Sequence, residues 1–113
     1  MISRSMSGPL ATIVERLCAW KDVTRNEEAG KDRFLVRGQV FSYLSKKGVV
    51  VRLAPPQVTE ALKIVGAKRQ PDDDDPTSRE FVEIPVTGPR EVERAMMWLR
   101  RACRLGRTAA GPV

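Results

Sequence analysis

The segment from Arg37 to Leu53, RGQVFSYLSKKGVVVRL, constrains the fold of this chain more than any other. Two runs rich in β-branched, aromatic and other apolar residues flank SKKG, a polar four-residue connection that ends in glycine. Such runs on the two sides of a short glycine-containing loop are typical of a β-hairpin. The sequence therefore predicts the core of a sheet here. The aromatic residues expected in that core are Phe34, Phe41, Tyr43 and Phe81.

The length of the chain, 113 residues, predicts a single domain. We place it over residues 1–106 and expect residues 107–113, a tail of mostly small residues, to be disordered. No run approaches the roughly 18 apolar residues of a membrane span, and Glu15 and Arg16 interrupt the first apolar stretch. We therefore expect a cytoplasmic protein with neither a secretory signal nor a membrane segment.

Helical periodicity and strand alternation predict an α+β domain in the order α-β-β-β-α-(β)-β-α. Because the strands occur in a run, the sheet should be antiparallel, with four or five strands and the helices packed on one face. The predicted elements are a helix over 9–21, a possible short strand at 23–25, strands at 33–36 and in both arms of the hairpin, a helix from Pro55 that ends at Gly66, short strands over 67–70 and 81–84, and a helix from Thr87 that ends at Gly106.

The residue types that most often carry catalysis or hold metals are scarce. Histidine is absent, which removes the commonest general base and metal ligand. Cys18 and Cys103 form no metal-binding spacing, and we expect both thiols to be reduced. The aspartates from Asp72 to Asp75 lack the ligand spacing of a calcium loop. With no catalytic motif present, we expect no enzyme activity, no metal and no cofactor.

Basic residues on the last predicted helix recur at spacings of three and four, which places them opposite its apolar face. Arginines along one exposed helix can neutralise several nucleic-acid phosphates, and a net charge of +6 permits an anionic partner. The alternative is a solvated face whose cations suit the helix dipole. Lysines at the hairpin tip leave a similar choice between a DNA-backbone contact and a solubilising turn. The candidate nucleic-acid contacts are Arg90, Arg94, Arg101, Arg104, Lys46 and Lys47.

Met97 and Trp98 lie on or beside the same predicted helix face. Trp98 sits at the border of the apolar face, so it either packs against the sheet or remains exposed beside Met97. Methionine and tryptophan are enriched at protein interfaces. An exposed pair would therefore predict a site for a protein partner or for a second copy of the chain.

Two segments carry a resemblance to a known family. The run RGQVFSYLSKKGVVVRLAPPQV, continuing to Gly66, and the later run from Arg79 to Pro85, followed by a helix rich in Glu, Arg and Trp, resemble the bacterial MmcQ/YjbR family and the N-terminal domain of the competence regulator TfoX. The resemblance implies a two-layer α-β(3)-α-β(2)-α domain that is similar to type III secretion chaperones, carries a DNA-binding label and has no catalytic signature. The four consecutive aspartates depart from the family pattern and would repel phosphate locally.

These observations lead to two hypotheses of different classes. The first is a non-catalytic module that binds DNA weakly and electrostatically through the basic last helix. The second is a protein-interaction or self-associating module with no role in nucleic-acid binding. Steep weakening of binding as salt rises is expected of the first and not of the second.

Overall fold

A computed structural model describes residues 8–28, 31–45, 47–69 and 81–109 of the chain. It has three helices and one six-stranded antiparallel sheet, so the α+β class is confirmed. The helices are α1 (Pro9–Cys18), α2 (Pro55–Ala61) and α3 (Pro89–Ala109), and the strands are β1 (Val23–Glu28), β2 (Lys31–Val36), β3 (Gln39–Leu44), β4 (Gly48–Arg52), β5 (Lys68–Arg69) and β6 (Phe81–Pro85).

The strands lie in the order β1-β2-β3-β4-β6-β5, and the first four form an antiparallel meander. The expectation of four or five strands in total is therefore wrong, and four strands instead of the predicted three precede α2. The polar run at 23–28 forms a complete strand because it pairs with β2 along its whole length. Arg25 also donates to Asp32 across that pair, from Nε at 3.0 Å and from Nη2 at 2.9 Å.

The predicted hairpin is confirmed as strands β3 and β4, and the turn that leads into it is equally tight. Arg37 and Gly38 connect β2 to β3 with φ angles of 54° and 81°. Two consecutive positive φ values are what the favoured two-residue hairpin turn requires, and glycine adopts them without strain. The run of aspartates from Asp72 to Asp75 lies outside the described residues.

One hydrophobic cluster joins one face of the sheet to all three helices. Val49 and Val51 of β4 pair with Ile84 and Val82 of β6, so alternate residues of both strands share one side of the sheet. The apolar side of α3 covers these strands. The expected core positions Phe34, Phe41 and Phe81 are buried, and Tyr43 is half-buried.

Three predicted helix ends are wrong. Helix α1 ends at Cys18 rather than at residue 21. Helix α2 ends at Ala61 rather than near Gly66. Val65, which the predicted helix included, lies in the following turns with 92% of its surface exposed. Helix α3 continues through Gly106 to Ala109, so residues 107–109 are helical and not part of a disordered tail. At Gly106 the helix lies so close to the sheet that a Cβ there would be 2.7 Å from Cγ1 of Val36.

Candidate nucleic-acid interface

The solvent-facing side of α3 carries six arginines within a helix of 21 residues. Its opposite side is buried, so the helix is divided into an apolar half and a basic half. Arg90 and Arg104 are separated by roughly 21 Å along the helix axis, at about 1.5 Å of rise per residue. We call this surface the arginine face, defined by Arg90, Arg94, Arg100, Arg101, Arg104 and Arg107.

Four residues of the arginine face make no ion pair with any carboxylate of the described residues. All four are exposed positions of the helix, spread over most of its length. Their charge is therefore presented to solvent and to any anion that approaches. These four are Arg90, Arg94, Arg100 and Arg104.

Arg101 is an exception among the predicted contacts, because it has intramolecular partners. Its Nη1 lies 3.6 Å from Oε1 of Glu60 on α2. Its guanidinium carbon also lies 4.7 Å from the centroid of the Trp98 ring, within the range of a cation–π contact. The interpretation of Arg101 as a freely exposed cation is thus wrong, since it connects α3 to α2.

Arg16 of α1 and Glu93 of α3 form the pair that connects these two helices. Arg16 Nη1 donates to Glu93 Oε2 at 2.6 Å. This hydrogen bond, reinforced by the attraction of the guanidinium, lowers the pKa of Glu93 below its ordinary value. Glu93 interrupts the arginine face, and Arg16 cancels its charge.

The tip of the β3–β4 hairpin lies beside the segment that leads into α3. The backbone N–H of Val86 donates to the carbonyl of Lys47 at 2.9 Å, and α3 begins three residues after Val86, at Pro89. Lys47 is exposed. The fold thus places Lys47 at the same end of the domain as Arg90, whereas Lys46 lies outside the described residues.

The proposed interface pair of Met97 and Trp98 is not an exposed pair. Trp98 is only 3% exposed and belongs to the hydrophobic cluster. Of the two alternatives for this residue, packing against the core is therefore confirmed and the exposed surface patch is wrong. Its place at the border of the apolar face allows α3 to bury it. Met97 is 40% exposed and lies among arginines on the helix surface.

A cleft of about 470 Å³ lies between the chain segment that follows α1 and the last turns of α3. Lys21, Arg100, Arg104 and Arg107 line it together with Trp20, which is half-buried. Arg107 is partly neutralised because its Nη2 lies 3.4 Å from Oδ2 of Asp22. The cleft therefore combines positive charge with one aromatic side chain. Its remaining lining residues are Ala19 and Cys103.

Cys103 at the cleft is 3% exposed. Burial raises the pKa of this thiol, which outweighs the opposite effect of the nearby Arg107 charge. A protonated thiol is a poor nucleophile. Cys103 therefore contributes a neutral surface to the cleft, and Cys18, at the end of α1, is exposed and also a free thiol.

Of the seven residues that line the cleft, Arg104 alone was among the predicted contacts. Trp20, Lys21 and Arg100 had no role in the predicted site. Arg107 had been assigned to a disordered tail. The spacing of arginines at positions 100, 104 and 107 was the one sequence pattern that could have indicated the cleft. The approach of Trp20 could not be predicted, because it depends on packing between distant segments.

The described part of the chain shows neither a cluster of metal-ligating side chains nor a helix that could span a membrane. No group of three or more acidic, cysteine or histidine residues there has the arrangement of a metal site. None of the helices described combines the length and the apolar character that crossing a membrane requires.

Comparison of the chain with protein-family models, with characterised proteins and with solved structures finds no match.

Proposed function

We propose that this protein is a non-catalytic module that binds nucleic acid through phosphate contacts from the arginine face of α3. The observation that carries the proposal is the exposure of four arginines on one helix side, none of which forms a close ion pair with a carboxylate of the described residues. Guanidinium groups bind phosphate oxygens with two parallel hydrogen bonds. Such contacts fix the position of a nucleic acid but do not distinguish its bases. We therefore expect binding that does not depend on the base sequence.

The length of the arginine face suits a short stretch of backbone. Residues from Arg90 to Arg104 cover roughly 21 Å, which corresponds to about six phosphates along one strand at about 3.4 Å each. Lys47 extends the positive surface at the end of α3 where the helix begins. A resemblance to the MmcQ/YjbR family agrees with this proposal, since that family carries a DNA-binding label, although four strands precede α2 here instead of three.

Fluorescence anisotropy of a labelled DNA duplex, from about 20 to about 300 mM salt, tests the proposal. If all four free arginines contact phosphates, the logarithm of the binding constant should fall against the logarithm of salt with a slope of about −3.6. Absence of binding at the lowest salt would overturn the proposal.

Charge reversal locates the binding surface. The triple variant Arg94→Glu, Arg100→Glu, Arg104→Glu should abolish duplex binding and leave the fold intact, because all three positions are exposed. Arg101 is left unchanged because it pairs with Glu60 and contacts Trp98. The control Lys68→Glu, Arg69→Glu removes charge from β5, an exposed strand at the sheet edge. Equal losses of affinity for the two variants would contradict a specific role for α3.

Self-association remains the rival hypothesis, and it needs a different surface. With Trp98 buried, Met97 is the large apolar residue exposed on the solvent side of α3. The oligomeric state is measured by sedimentation at low and at high salt. A dimer that forms at both salts and binds no nucleic acid would favour the rival.

A further inference from the structure

We propose that the cleft beside Trp20 holds one unpaired nucleotide of a single-stranded nucleic acid, with its base against Trp20 and its phosphate at Arg100 and Arg104. This inference rests on the proposed function, because the same helix supplies the arginines. It adds a preference for single strands, which the arginine face alone does not produce.

The composition of the cleft matches what a nucleotide presents. Lys21, Arg100 and Arg104 supply positive charge. None of them forms a close ion pair with a described carboxylate, although the charge of Arg100 helps to lower the pKa of Glu93. Trp20 supplies an aromatic ring in the same cleft. Proteins that bind single strands combine a positive groove with aromatic side chains on which bases stack. The cleft volume of about 470 Å³ also lies within the range of pockets that hold small ligands.

The carbonyl groups at the C-terminal end of α1 do not repel an anion in the cleft. The carbonyls of Arg16 and Leu17 accept hydrogen bonds from the N–H groups of Ala19 and Trp20, at 3.2 and 3.0 Å. These acceptors are therefore satisfied within the chain and are not presented to a phosphate. The arginines then dominate the electrostatic potential of the cleft.

The position of the cleft on α3 determines which nucleic acid can use it. The cleft lies at the end of the arginine face that is distant from Arg90, so a strand held along α3 leads directly to it. A base in a duplex is paired and stacked, and it reaches a pocket only after it is unstacked. An unpaired nucleotide avoids that cost, so we expect the cleft to favour single strands over duplex.

Fluorescence of Trp20 tests the inference directly. The variant Trp98→Phe leaves Trp20 as the single tryptophan, since the chain has two. Titration of this variant with an oligothymidylate at low salt should quench the Trp20 emission, because the base stacks on the indole ring. A duplex should bind, as anisotropy detects, without that quenching. Binding of the oligonucleotide with no change in emission would overturn the inference while the proposed function stands.

A substitution of Trp20 provides the second measurement. Trp20→Leu retains apolar packing against the core and removes the ring. It should weaken oligothymidylate binding about tenfold, the effect of one lost stacking contact, and change duplex binding by less than about twofold. Equal affinity of this variant and the parent protein for the oligonucleotide would overturn the inference.

Two charge-matched double variants separate the cleft from the rest of the arginine face. Arg100→Glu, Arg104→Glu changes the cleft, and Arg90→Glu, Arg94→Glu changes the other end of α3 by the same charge. We expect the first pair to weaken oligonucleotide binding at least about tenfold more than the second. Equal effects would overturn the inference. Equally strong quenching by free thymidine monophosphate would also overturn it, because the cleft would then not need a strand.

Discussion

Arg107, in the last turns of α3, forms an ion pair with Asp22, which follows α1, at 3.4 Å between Nη2 and Oδ2. Both side chains are more than 40% exposed, at 43% and 45%. An exposed pair of this kind contributes at most about 1 kcal/mol to folding. Its greater consequence is electrostatic, because Asp22 reduces the positive charge that Arg107 brings to the cleft.

Replacement of Asp22 by Asn should therefore strengthen anion binding. The variant frees Arg107 and removes one negative charge beside the cleft, so we expect oligonucleotide affinity at low salt to rise about two- to tenfold. The melting temperature should change little. Anisotropy titration of both proteins measures the effect, and an unchanged or weaker affinity would contradict the role assigned to this pair.

Gly48 should tolerate no side chain. A Cβ there would lie 2.0 Å from the carbonyl oxygen of Ile84 and 2.8 Å from the amide nitrogen of Val86, so β4 and β6 would have to separate. We expect Gly48→Ala to cost more than about 3 kcal/mol of unfolding free energy, measured by urea denaturation. Gly38→Ala is the control, because Gly38 has a φ of 81° and open space around it. That change should cost about 1–2 kcal/mol of backbone strain.

Gly106 should be intolerant for a different reason, the closeness of α3 to β2. Alanine at a helix interior normally gains about 1 kcal/mol over glycine. Here its Cβ would lie 2.7 Å from Cγ1 of Val36 and 3.5 Å from Cβ of Phe41. We expect Gly106→Ala to lower the unfolding free energy by about 1 kcal/mol net, because overpacking outweighs propensity.

A second substitution checks this cause. Val36→Ala removes the methyl group that meets the new Cβ, so it should cost less in the Gly106→Ala background than in the parent protein. Strictly additive costs in this double-mutant cycle would show that the two positions are not in contact.

Buried charge should unfold the domain. Val51 and Leu99 are fully buried in the cluster between β4 and α3. Aspartate at either position buries an unpaired carboxylate, and we expect a loss of more than about 4 kcal/mol, close to the stability of many domains. Val65→Asp serves as the matched control because Val65 is 92% exposed. Circular dichroism melts of the three variants measure the effect, and a cooperative, unchanged melt for Val51→Asp would contradict this core.

The Arg16–Glu93 pair should make folding depend weakly on acid pH. The pKa of Glu93 is lower in the folded chain than its ordinary value of 4.5, because Arg16 donates to the carboxylate. The pair's contribution is therefore present above about pH 4.5 and lost as pH falls through the folded-state pKa. A carboxyl titration by NMR should show the Glu93 pKa rise toward 4.5 in Arg16→Gln. An unchanged pKa would contradict the contact.

Local periodicity in the sequence was sufficient to predict the α+β class, the β3–β4 hairpin and the amphipathic last helix. Alternation of apolar residues determines which strand residues face a core, and a spacing of three and four determines a helix face. The burial of Val51 and Leu99 and the exposure of Arg90, Arg94 and Arg104 follow from these local rules.

Contacts between distant segments decided the rest, and no local pattern encodes them. Strand β1 has no apolar alternation and exists as a strand because β2 supplies its backbone partners. Gly106 resembles a helix end in the sequence, yet α3 continues past it to Ala109. The glycine instead lies where the approach of Val36 leaves no room for a side chain. The helical spacing predicts that Arg101 is exposed, but its side chain pairs with Glu60 and contacts the ring of Trp98. Trp20 joins the cleft only because α1 and α3 pack together, which brings the segment after α1 beside the last turns of α3.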